Sequence, residues 1–320
     1  MSLRALLCLA LLFLFEGFAR AQAFPHKPIH IIVPFPPGGA GDVTARLLGG
    51  YVARDLGQPV IVDNRPGGGA IIGYELAARA PADGHTLLLV FPSFVIGPAL
   101  RAHVAFDPTR DFRPVSQTIN VPMAIAVEPS LPVSSLADLV AYARSNPGKL
   151  SYGTAGTGTL HHILGEMLKQ SANIEIVHVP FSGEVPAMAA LVGGHLPMAL
   201  VNVSAIAPHA RVGKARVLVV TTPQRDPLLP DVPTMREAGY PELEATNWSG
   251  LVVGAATPAD IVSRLNAELV RVLRMPEVQE KLQNQGLWPA PSTPEQFDAL
   301  LQTDRARYSA VVRTAGIRVE

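Results

Sequence analysis

Short apolar segments rich in β-branched residues alternate with segments of helical periodicity along the chain. Continuous apolar runs of about four to eight residues favour strands that are buried on both faces, as in parallel sheets. The predicted fold class is therefore α/β, with two doubly wound sheets covered by helices. The pattern predicts strands at residues 29–33, 60–62, 86–90, 124–127, 150–152, 176–179, 198–201, 217–221 and 251–253.

Capping signals predict where three of the helices begin. Ser135 stands three residues before Asp138, and an Asn-Pro-Gly turn at residues 146–148 ends that helix. Residues 257–260 combine a threonine cap, a first-turn proline and an acid, and apolar residues follow at i+4 spacing. Thr293 repeats this arrangement, which predicts a last helix near the end of the chain.

Two stretches that contain proline, residues 106–122 and 222–248, are interpreted as crossings between two lobes. A chain of this length exceeds what one compact core usually holds, which also favours two lobes. Two crossings build one lobe from both ends of the chain and leave a cleft between the lobes. We expect the first lobe to comprise residues 24–122 and about 226–320, and the second lobe residues 123–225.

The first 23 residues have the pattern of a cleaved signal peptide. Arg4 precedes an apolar run that is too short to span a membrane, and the small-x-small site at residues 21–23 predicts cleavage before Phe24. The chain has 26 basic and 26 acidic residues, and the leader removes two arginines and one glutamate. The exported chain therefore has a net charge near −1, and without a basic block it is not expected to bind nucleic acid.

Two glycine-rich loops, residues 34–42 and 153–159, each follow a predicted strand and precede a predicted helix. Glycine lets the backbone approach a ligand, and the first turn of a helix presents unpaired N–H groups at the positive end of its dipole. Each loop alone is equally compatible with an ordinary turn, with Asp42 capping the first helix. Because the loops belong to different lobes, together they indicate an anion site in the cleft.

Other motifs give weaker signals for chemistry. The glycine run at residues 67–69 fails the spacing of a dinucleotide loop, because Ile72 stands where the last glycine would fall. His162 and Glu166 are spaced to share a metal or to serve an exported hydrolytic enzyme, but no third ligand has useful spacing. We therefore predict a binding protein without cofactor or metal, and keep the enzyme as an alternative.

Five strings of residues, in order along nearly the whole exported chain, resemble the Bug-type solute receptors, the extracytoplasmic components of tripartite tricarboxylate transporters. The resemblance implies a type II periplasmic binding fold that closes on a small carboxylate, held by backbone N–H groups and water. It also implies a receptor that serves membrane subunits of the transporter; presentation of the ligand to a membrane sensor kinase is the alternative. We expect the receptor to be a monomer. The strings are residues 33–39 with Asp42, 62–67, 83–88, 178–181 and 229–234.

The residues assigned to the ligand site come from both predicted lobes. They are Phe35, Pro37, Gly38, Gly39, Asp42 and Ser93 from the first lobe, and Thr154, Ala155, Gly156, Thr157, Gly158, Thr159, His162, Phe181, Val201 and Asn202 from the second.

Three positions depart from the pattern of the family that the chain resembles. Its members often carry aspartate in place of Val201, Tyr-Lys in place of Phe181-Ser182, and a small or polar residue in place of Phe91. An ammonium group that is buried without an acidic partner costs several kcal/mol. The departures therefore predict a ligand with a partly apolar body rather than an amino acid.

Overall fold

The computed structural model describes residues 24–101, 103–314 and 316–317, which form two lobes, each built on one mixed sheet. The predicted signal peptide, residues 1–23, lies outside these described residues. None of the helices that the structure describes is long and apolar enough to cross a membrane. The strands are β1 (Ile29–Val33), β2 (Val60–Asn64), β3 (Thr86–Val90), β4 (Phe112–Val121), β5 (Met123–Val127), β6 (Ser151–Thr154), β7 (Val177–Pro180), β8 (Met198–Asn202), β9 (Arg216–Val220), β10 (Asn247–Gly254) and β11 (Trp288–Pro289).

The first lobe contains a six-stranded sheet and the second lobe a five-stranded sheet. Their strand orders are β11-β4-β10-β3-β1-β2 and β7-β6-β8-β5-β9. In the first sheet β1 pairs in parallel with β2 and β3, whereas β10 runs antiparallel to β3 and β4. In the second sheet β6 pairs in parallel with β7 and β8, whereas β5 runs antiparallel to β8 and β9.

The expectation of parallel strands is wrong for β5 and β10, although both are buried apolar runs. Each of these strands is the first that the chain forms after it crosses from the other lobe. A continuous apolar run predicts that a strand is buried on both faces, but it does not predict the direction of the strand. The sequence pattern therefore finds these strands and misses their orientation.

Helices cover both faces of each sheet, which explains why the strands are apolar on both sides. The helices are α1 (Ala40–Leu56), α2 (Ile71–Ala78), α3 (Ser93–Leu100), α4 (Leu136–Ser145), α5 (Leu160–Ala172), α6 (Glu184–Val192), α7 (Val203–Arg211), α8 (Ala259–Leu273), α9 (Pro276–Gln283) and α10 (Pro294–Thr314). Helices α1, α8 and α9 pack on one face of the first sheet and α2, α3 and α10 on the other. In the second lobe α4 and α5 oppose α6 and α7.

Residues 106–122, which the sequence analysis interprets as the first crossing, are largely a strand. Phe112–Val121 forms β4, which pairs with β10 over its length, and Pro114 falls beside a register irregularity of that pair. Proline has no N–H for a sheet and is tolerated at such irregularities and at edges. β11 pairs with β4 only at Asn120 and Ile119. At Pro114, β4 is therefore the edge strand of the sheet on that side.

The chain passes from the first sheet to the second at Pro122, which lies between β4 and β5, and it returns in the segment between β9 and β10. Met235 and Leu243 of this return segment pack in the core of the second lobe, together with Tyr308 from α10. The numerical lobe limits given above stay a prediction.

Two of the three predicted caps are confirmed. The hydroxyl of Ser135 accepts a hydrogen bond from Asp138 N at 3.1 Å, and Thr293 and Gln296 exchange hydrogen bonds of 3.0 and 3.2 Å. The cap predicted at Thr257 is wrong. Pro258 occupies the N-cap position of α8, so Thr257 lies one residue too early, and its buried Oγ1 has no hydrogen-bond partner among the described residues.

We predict opposite outcomes for these two hydroxyls. Ser135→Ala should lower the free energy of unfolding by about 1 kcal/mol, since the Asp138 N–H loses its acceptor. Thr257→Val should leave it unchanged within about 0.5 kcal/mol or raise it, because a methyl group replaces a buried hydroxyl without a partner. Urea unfolding of both variants measures the difference. A Thr257→Val loss equal to that of Ser135→Ala would mean that the Thr257 hydroxyl makes a stabilising contact.

Candidate functional site

A cavity of about 550 Å³, counted to its open mouth, lies in the cleft between the two lobes. Pockets for small molecules commonly enclose about 300–1,000 Å³. The cavity in this narrow cleft therefore suits a small ligand. Its lining comes from both lobes: Phe35, Pro36, Gly39, Ala40, Gly41, Asp42, Phe91, Pro92, Ser93 and Asn247 from the first, and Ala155, Thr159, Leu160, His161, Glu184, Val185 and Asn202 from the second.

Glycine residues bring the two lobes into contact at the rim of the cleft. A Cβ atom on Gly69 would lie 2.0 Å from the carbonyl oxygen of Thr157, and one on Gly183 would lie 2.6 Å from Cδ of Pro36. Carbon atoms in favourable contact are about 3.5–4.0 Å apart. A larger residue at either glycine would therefore separate the lobes, and we interpret the structure as the closed form.

Four helices, α1, α3, α5 and α6, begin at the wall of this cavity. Their first residues, Ala40, Ser93, Leu160 and Glu184, all belong to the lining. The first N–H groups of a helix have no partner within it. In the described chain the N-caps of α1 and α6 are glycines, and no side chain caps these two helices. The cavity is therefore surrounded by backbone donors and by positive ends of helix dipoles, which suit an anion.

Asp42 lies within the first turn of α1 and is not its cap, since Gly39 occupies the N-cap position. Its carboxylate accepts hydrogen bonds from Gly38 N at 3.0 Å and from Arg46 Nε at 2.9 Å. Burial raises the pKa of Asp42, but the hydrogen bonds from Arg46 and Gly38 outweigh burial and hold that pKa below its usual value. Asp42 is therefore an ionised carboxylate whose charge is balanced by Arg46.

The first loop is also held from the neighbouring strand. Asn64, at the end of β2, donates a hydrogen bond to the carbonyl oxygen of Phe35 at 3.1 Å and accepts one from Arg46 at 2.9 Å. These contacts fix the backbone that leads into α1. The N–H groups at the start of that helix are therefore positioned before a ligand arrives.

Asn202 is the centre of a polar network at the floor of the cavity. Its backbone N–H and its side-chain Nδ2 both donate to the carboxylate of Glu184, the latter at 2.9 Å. Its Oδ1 lies 3.1 Å from His161 Nε2 and accepts from Asn247 Nδ2 at 3.3 Å. Since an amide oxygen only accepts, His161 carries its proton on Nε2. Asn247 belongs to the first lobe, so the network joins the two lobes.

The side chains of the cavity provide negative charge and no positive charge at pH 7. Burial lowers the pKa of His161 to about 4 against a smaller opposing effect of Asn202, so this imidazole is neutral. Burial raises the pKa of Glu184 to about 7, while the two hydrogen bonds from Asn202 lower it. Neither lysine nor arginine occurs among the described lining residues. An anion would therefore be held by the helix N-termini alone.

The structure brings seven of the sixteen predicted site residues together around the cavity, from both lobes as expected. They are Phe35, Gly39, Asp42, Ser93, Ala155, Thr159 and Asn202. That these residues bind the ligand stays a prediction.

The other predicted residues lie near the cavity but not in its lining. Pro37 and Gly38 are exposed, while Thr154 and His162 are buried below the second loop. The remaining members of that loop, Gly156, Thr157 and Gly158, face Gly69 and Arg101 of the first lobe, and Phe181 packs over Gly153.

Val201 does not line the cavity, which corrects the interpretation of this position. Its side chain is fully buried in the core of the second lobe with Ala124 and with residues of α6 and α7. Successive side chains of a strand point to opposite faces, and the next residue, Asn202, is the one that lines the cavity. The valine at position 201 therefore does not decide whether an acid can meet an ammonium group, because Glu184 supplies an acid to the lining from a different element.

His162 and Glu166 make hydrogen bonds to different partners. His162 Nδ1 accepts from Gly158 N at 3.3 Å, and its ring stacks on His178 at 4.2 Å. Glu166 accepts hydrogen bonds from Tyr152 at 2.7 Å and from Lys169 at 2.8 Å. Over the residues that the structure describes, no group of three His, Cys, Asp or Glu side chains is arranged to hold a metal.

Three polar residues of the lining, His161, Glu184 and Asn247, are absent from the prediction. An acid in the first turn of a helix is usually explained by its favourable interaction with the helix dipole. The sequence alone therefore gives no reason to assign Glu184 to the ligand site. A usable signal did exist. β7 ends at Pro180 and α6 begins at Glu184, just as β6 ends at Thr154 and α5 begins soon after. Parallel strands share one carboxyl edge, so both loops had to reach the same side of the sheet.

Comparison with known proteins gives consistent matches over most of the chain. The model of the tripartite tricarboxylate transporter family receptor matches residues 44–317. BugT of Bordetella pertussis is 34% identical over 302 residues, which cover 94% of this chain and 93% of that protein. An R. palustris structure with adipate has a TM-score of 0.88 and 33% identity, covering 92% of this chain and 99% of that chain.

A further structure, MatC from Rhodopseudomonas palustris with bound malate, has a TM-score of 0.85 at 32% identity and covers 90% of this chain and 100% of that chain. A more distant structure, PhnD1 from Prochlorococcus marinus in complex with methylphosphonate, shares 11% identity at a TM-score of 0.60 and covers 91% of this chain and 99% of that chain. The expected two-lobed α/β fold of periplasmic binding proteins is confirmed.

The buried imidazole predicts a specific loss of stability in acid. His161 has a pKa of about 4 when folded and about 6.5 when unfolded. Below pH 6.5 the unfolded chain therefore binds a proton that the folded chain does not, and stability is lost as the pH falls. At pH 5 this amounts to about 2 kcal/mol. His161→Gln keeps an amide donor for Asn202 and removes the titration.

Urea unfolding at pH 7 and pH 5 tests this expectation. Between the two values, the wild type should lose about 2 kcal/mol more unfolding free energy than His161→Gln. Parallel losses in the two proteins would mean that the folded pKa of His161 is close to its ordinary value.

Proposed function

Since this chain belongs to the tripartite tricarboxylate transporter receptor family, we propose that it captures a small organic carboxylate outside the cytoplasmic membrane and delivers it to membrane subunits of such a transporter. The chain is a solute receptor by its family. Its relatives are binding proteins, and structures with adipate and with malate are known among them.

One observation carries the carboxylate assignment. Four helix N-termini converge on one cavity that has backbone donors and apolar walls but no cationic side chain among its described lining residues. A carboxylate accepts several hydrogen bonds from such N–H groups, and the positive helix ends stabilise its charge. We propose that Gly39, Ser93 and Thr159, with the residues that follow them, form the anion site.

The proposal includes export by cleavage before Phe24 and release of the unchanged ligand, without catalysis. The contacts of His162 and Glu166 support this part, because His162 Nδ1 and both carboxylate oxygens of Glu166 have other partners. A thermal-shift screen of carboxylates tests binding, since a ligand at about a hundred times its Kd adds about 2.7 kcal/mol of stability. Nuclear magnetic resonance of the mixture tests catalysis: a receptor leaves the compound intact, whereas an enzyme consumes it.

The donor role of the first loop is tested by two substitutions at one residue. Gly39 has φ of −81°, close to the value that proline imposes, so Gly39→Pro removes the N–H with little backbone change. Calorimetry should show carboxylate affinity reduced by at least about tenfold, or 1.4 kcal/mol.

Gly39→Ala is the matched control. A Cβ at this position meets no atom within 4 Å, and alanine keeps the N–H. Its affinity should match that of the wild type. Equal affinities of folded Gly39→Pro and Gly39→Ala would exclude the Gly39 N–H from the binding site.

Closure of the cleft is tested at Gly183, which has an extended backbone with φ of 169° that any residue adopts. Gly183→Ala should weaken ligand binding by about tenfold, because its Cβ meets Pro36 of the opposite lobe only when the cleft shuts. Affinity is measured by calorimetry. Gly50→Ala, whose added Cβ meets no atom within 4 Å, is the control and should bind like the wild type; an equal affinity for Gly183→Ala would contradict the closed bound form.

A further inference from the structure

Glu184, an acid in the cavity wall, indicates which group the ligand bears besides its carboxylate. We infer that Glu184 selects a ligand which bears a cationic donor, an ammonium group, at a distance from its carboxylate. The ligand class is therefore a short zwitterionic amino carboxylate rather than a dicarboxylate. This inference rests on the proposed function and extends it from one end of the ligand to the other.

The carboxylate of Glu184 is fixed in place. It belongs to the first residue of α6, and both of its oxygens accept hydrogen bonds from Asn202, one from the backbone and one from the side chain. Asn202 is itself held through its Oδ1 by His161 and Asn247. Glu184 therefore cannot easily rotate out to solvent, and it contributes an oriented negative charge to the cavity wall.

Among the residues that the structure describes, the charge of Glu184 has no cationic partner, unlike that of Asp42. Asp42 is paired with Arg46 at 2.9 Å. None of the ion pairs between described residues includes Glu184. An unpaired carboxylate in a closed cavity attracts a cation and repels a second carboxylate, because the low dielectric constant strengthens both effects. A ligand that carries its own cation would supply the partner that Glu184 lacks among the described residues.

The walls between the two ends suit a hydrocarbon chain. Phe35 and Phe91 line the cavity and contact each other edge to face, with ring centroids 5.1 Å apart. Aromatic rings provide apolar area for methylene groups, and their faces also attract cations. The expectation of a partly apolar ligand body is therefore compatible with an ammonium group at its end.

The competing ligand class is a dicarboxylate, such as the adipate and malate found in structures of relatives. Its second carboxylate would share the cavity with the carboxylate of Glu184, and once Glu184 is ionised it would need a proton or a cation to compensate. Ionised Glu184 would therefore stabilise a bound amino carboxylate and destabilise a bound dicarboxylate. A comparison of ligands with equal chain length separates them.

Calorimetry with two matched series at about pH 8, where Glu184 is ionised, tests the inference. The four-carbon series is 4-aminobutanoate, butanoate and succinate, and the six-carbon series is 6-aminohexanoate, hexanoate and adipate. In at least one series the amino carboxylate should bind the wild type at least about tenfold more tightly than both others. In Glu184→Gln, which keeps the size of the side chain and removes its charge, this preference should fall to about threefold or less.

Glu166→Gln is the matched control, since Glu166 is an acid of the same lobe whose contacts with Tyr152 and Lys169 lie outside the cavity. It should keep the preference of the wild type. The ranking in the wild type is decisive even where a variant does not fold. A dicarboxylate or simple monocarboxylate that binds as tightly as the amino carboxylate in both series overturns the inference and leaves the receptor function intact. If no carboxylate of any class binds, the proposed function itself fails, and the inference with it.

Discussion

The convergence of helix N-termini on one cavity is the constraint on which the rest of the site depends. α1, α3, α5 and α6 each follow a strand whose carboxyl end faces the cleft, the edge at which open α/β sheets bind ligands. Two crossings of the chain set these edges of the two sheets opposite each other. Without lysine or arginine among the described lining residues, the helix ends supply the positive potential of the cavity. The glycine contacts at the rim then allow these ends to come close enough to act on one small molecule.

The Asn202 network adds a fixed element at the point where the lobes are joined. Asn202 pairs with Met123 in the second sheet, and Asn247 pairs with Val121 in the first. Val121 and Met123 flank Pro122, the residue at which the chain first crosses. The hydrogen bond between Asn202 and Asn247 therefore lies next to this crossing, which we interpret as a hinge where the lobes would move least relative to each other. As a result, the orientation of Asn202, and through it that of Glu184, depends little on whether the cleft is open or closed.

The sequence predicts what local patterns encode and misses what depends on the facing element. β1 and β3, the caps at Ser135 and Thr293 and the two glycine loops follow from apolar runs, cap residues and turn chemistry. β4 was missed because its proline and polar residues are tolerated only where β10 is irregular and the edge is open, a property of the partner strand.

For the site residues, too, the sequence predicts local features and misses those that depend on the facing element. Val201 and Asn202 are neighbours in sequence, yet strand alternation sends one into the core and the other into the cavity, and a shift of one residue reverses every such assignment. A residue that departs from a family pattern is informative about a ligand only when its side chain reaches that ligand. Glu184 changes the chemistry of the cavity, whereas the departure at Val201 lies in the core.

The two ends of a zwitterionic ligand also explain how binding is coupled to closure. A ligand shifts the balance between open and closed forms only by the difference in its free energy of interaction with the two forms. Contacts with α1 and α3 alone would exist in the open first lobe and would leave the balance unchanged. Glu184 and the start of α5 belong to the second lobe, so an ammonium group at Glu184 is engaged together with the carboxylate only when the lobes meet. The acid that sets the specificity is therefore also a residue through which the ligand closes the cleft.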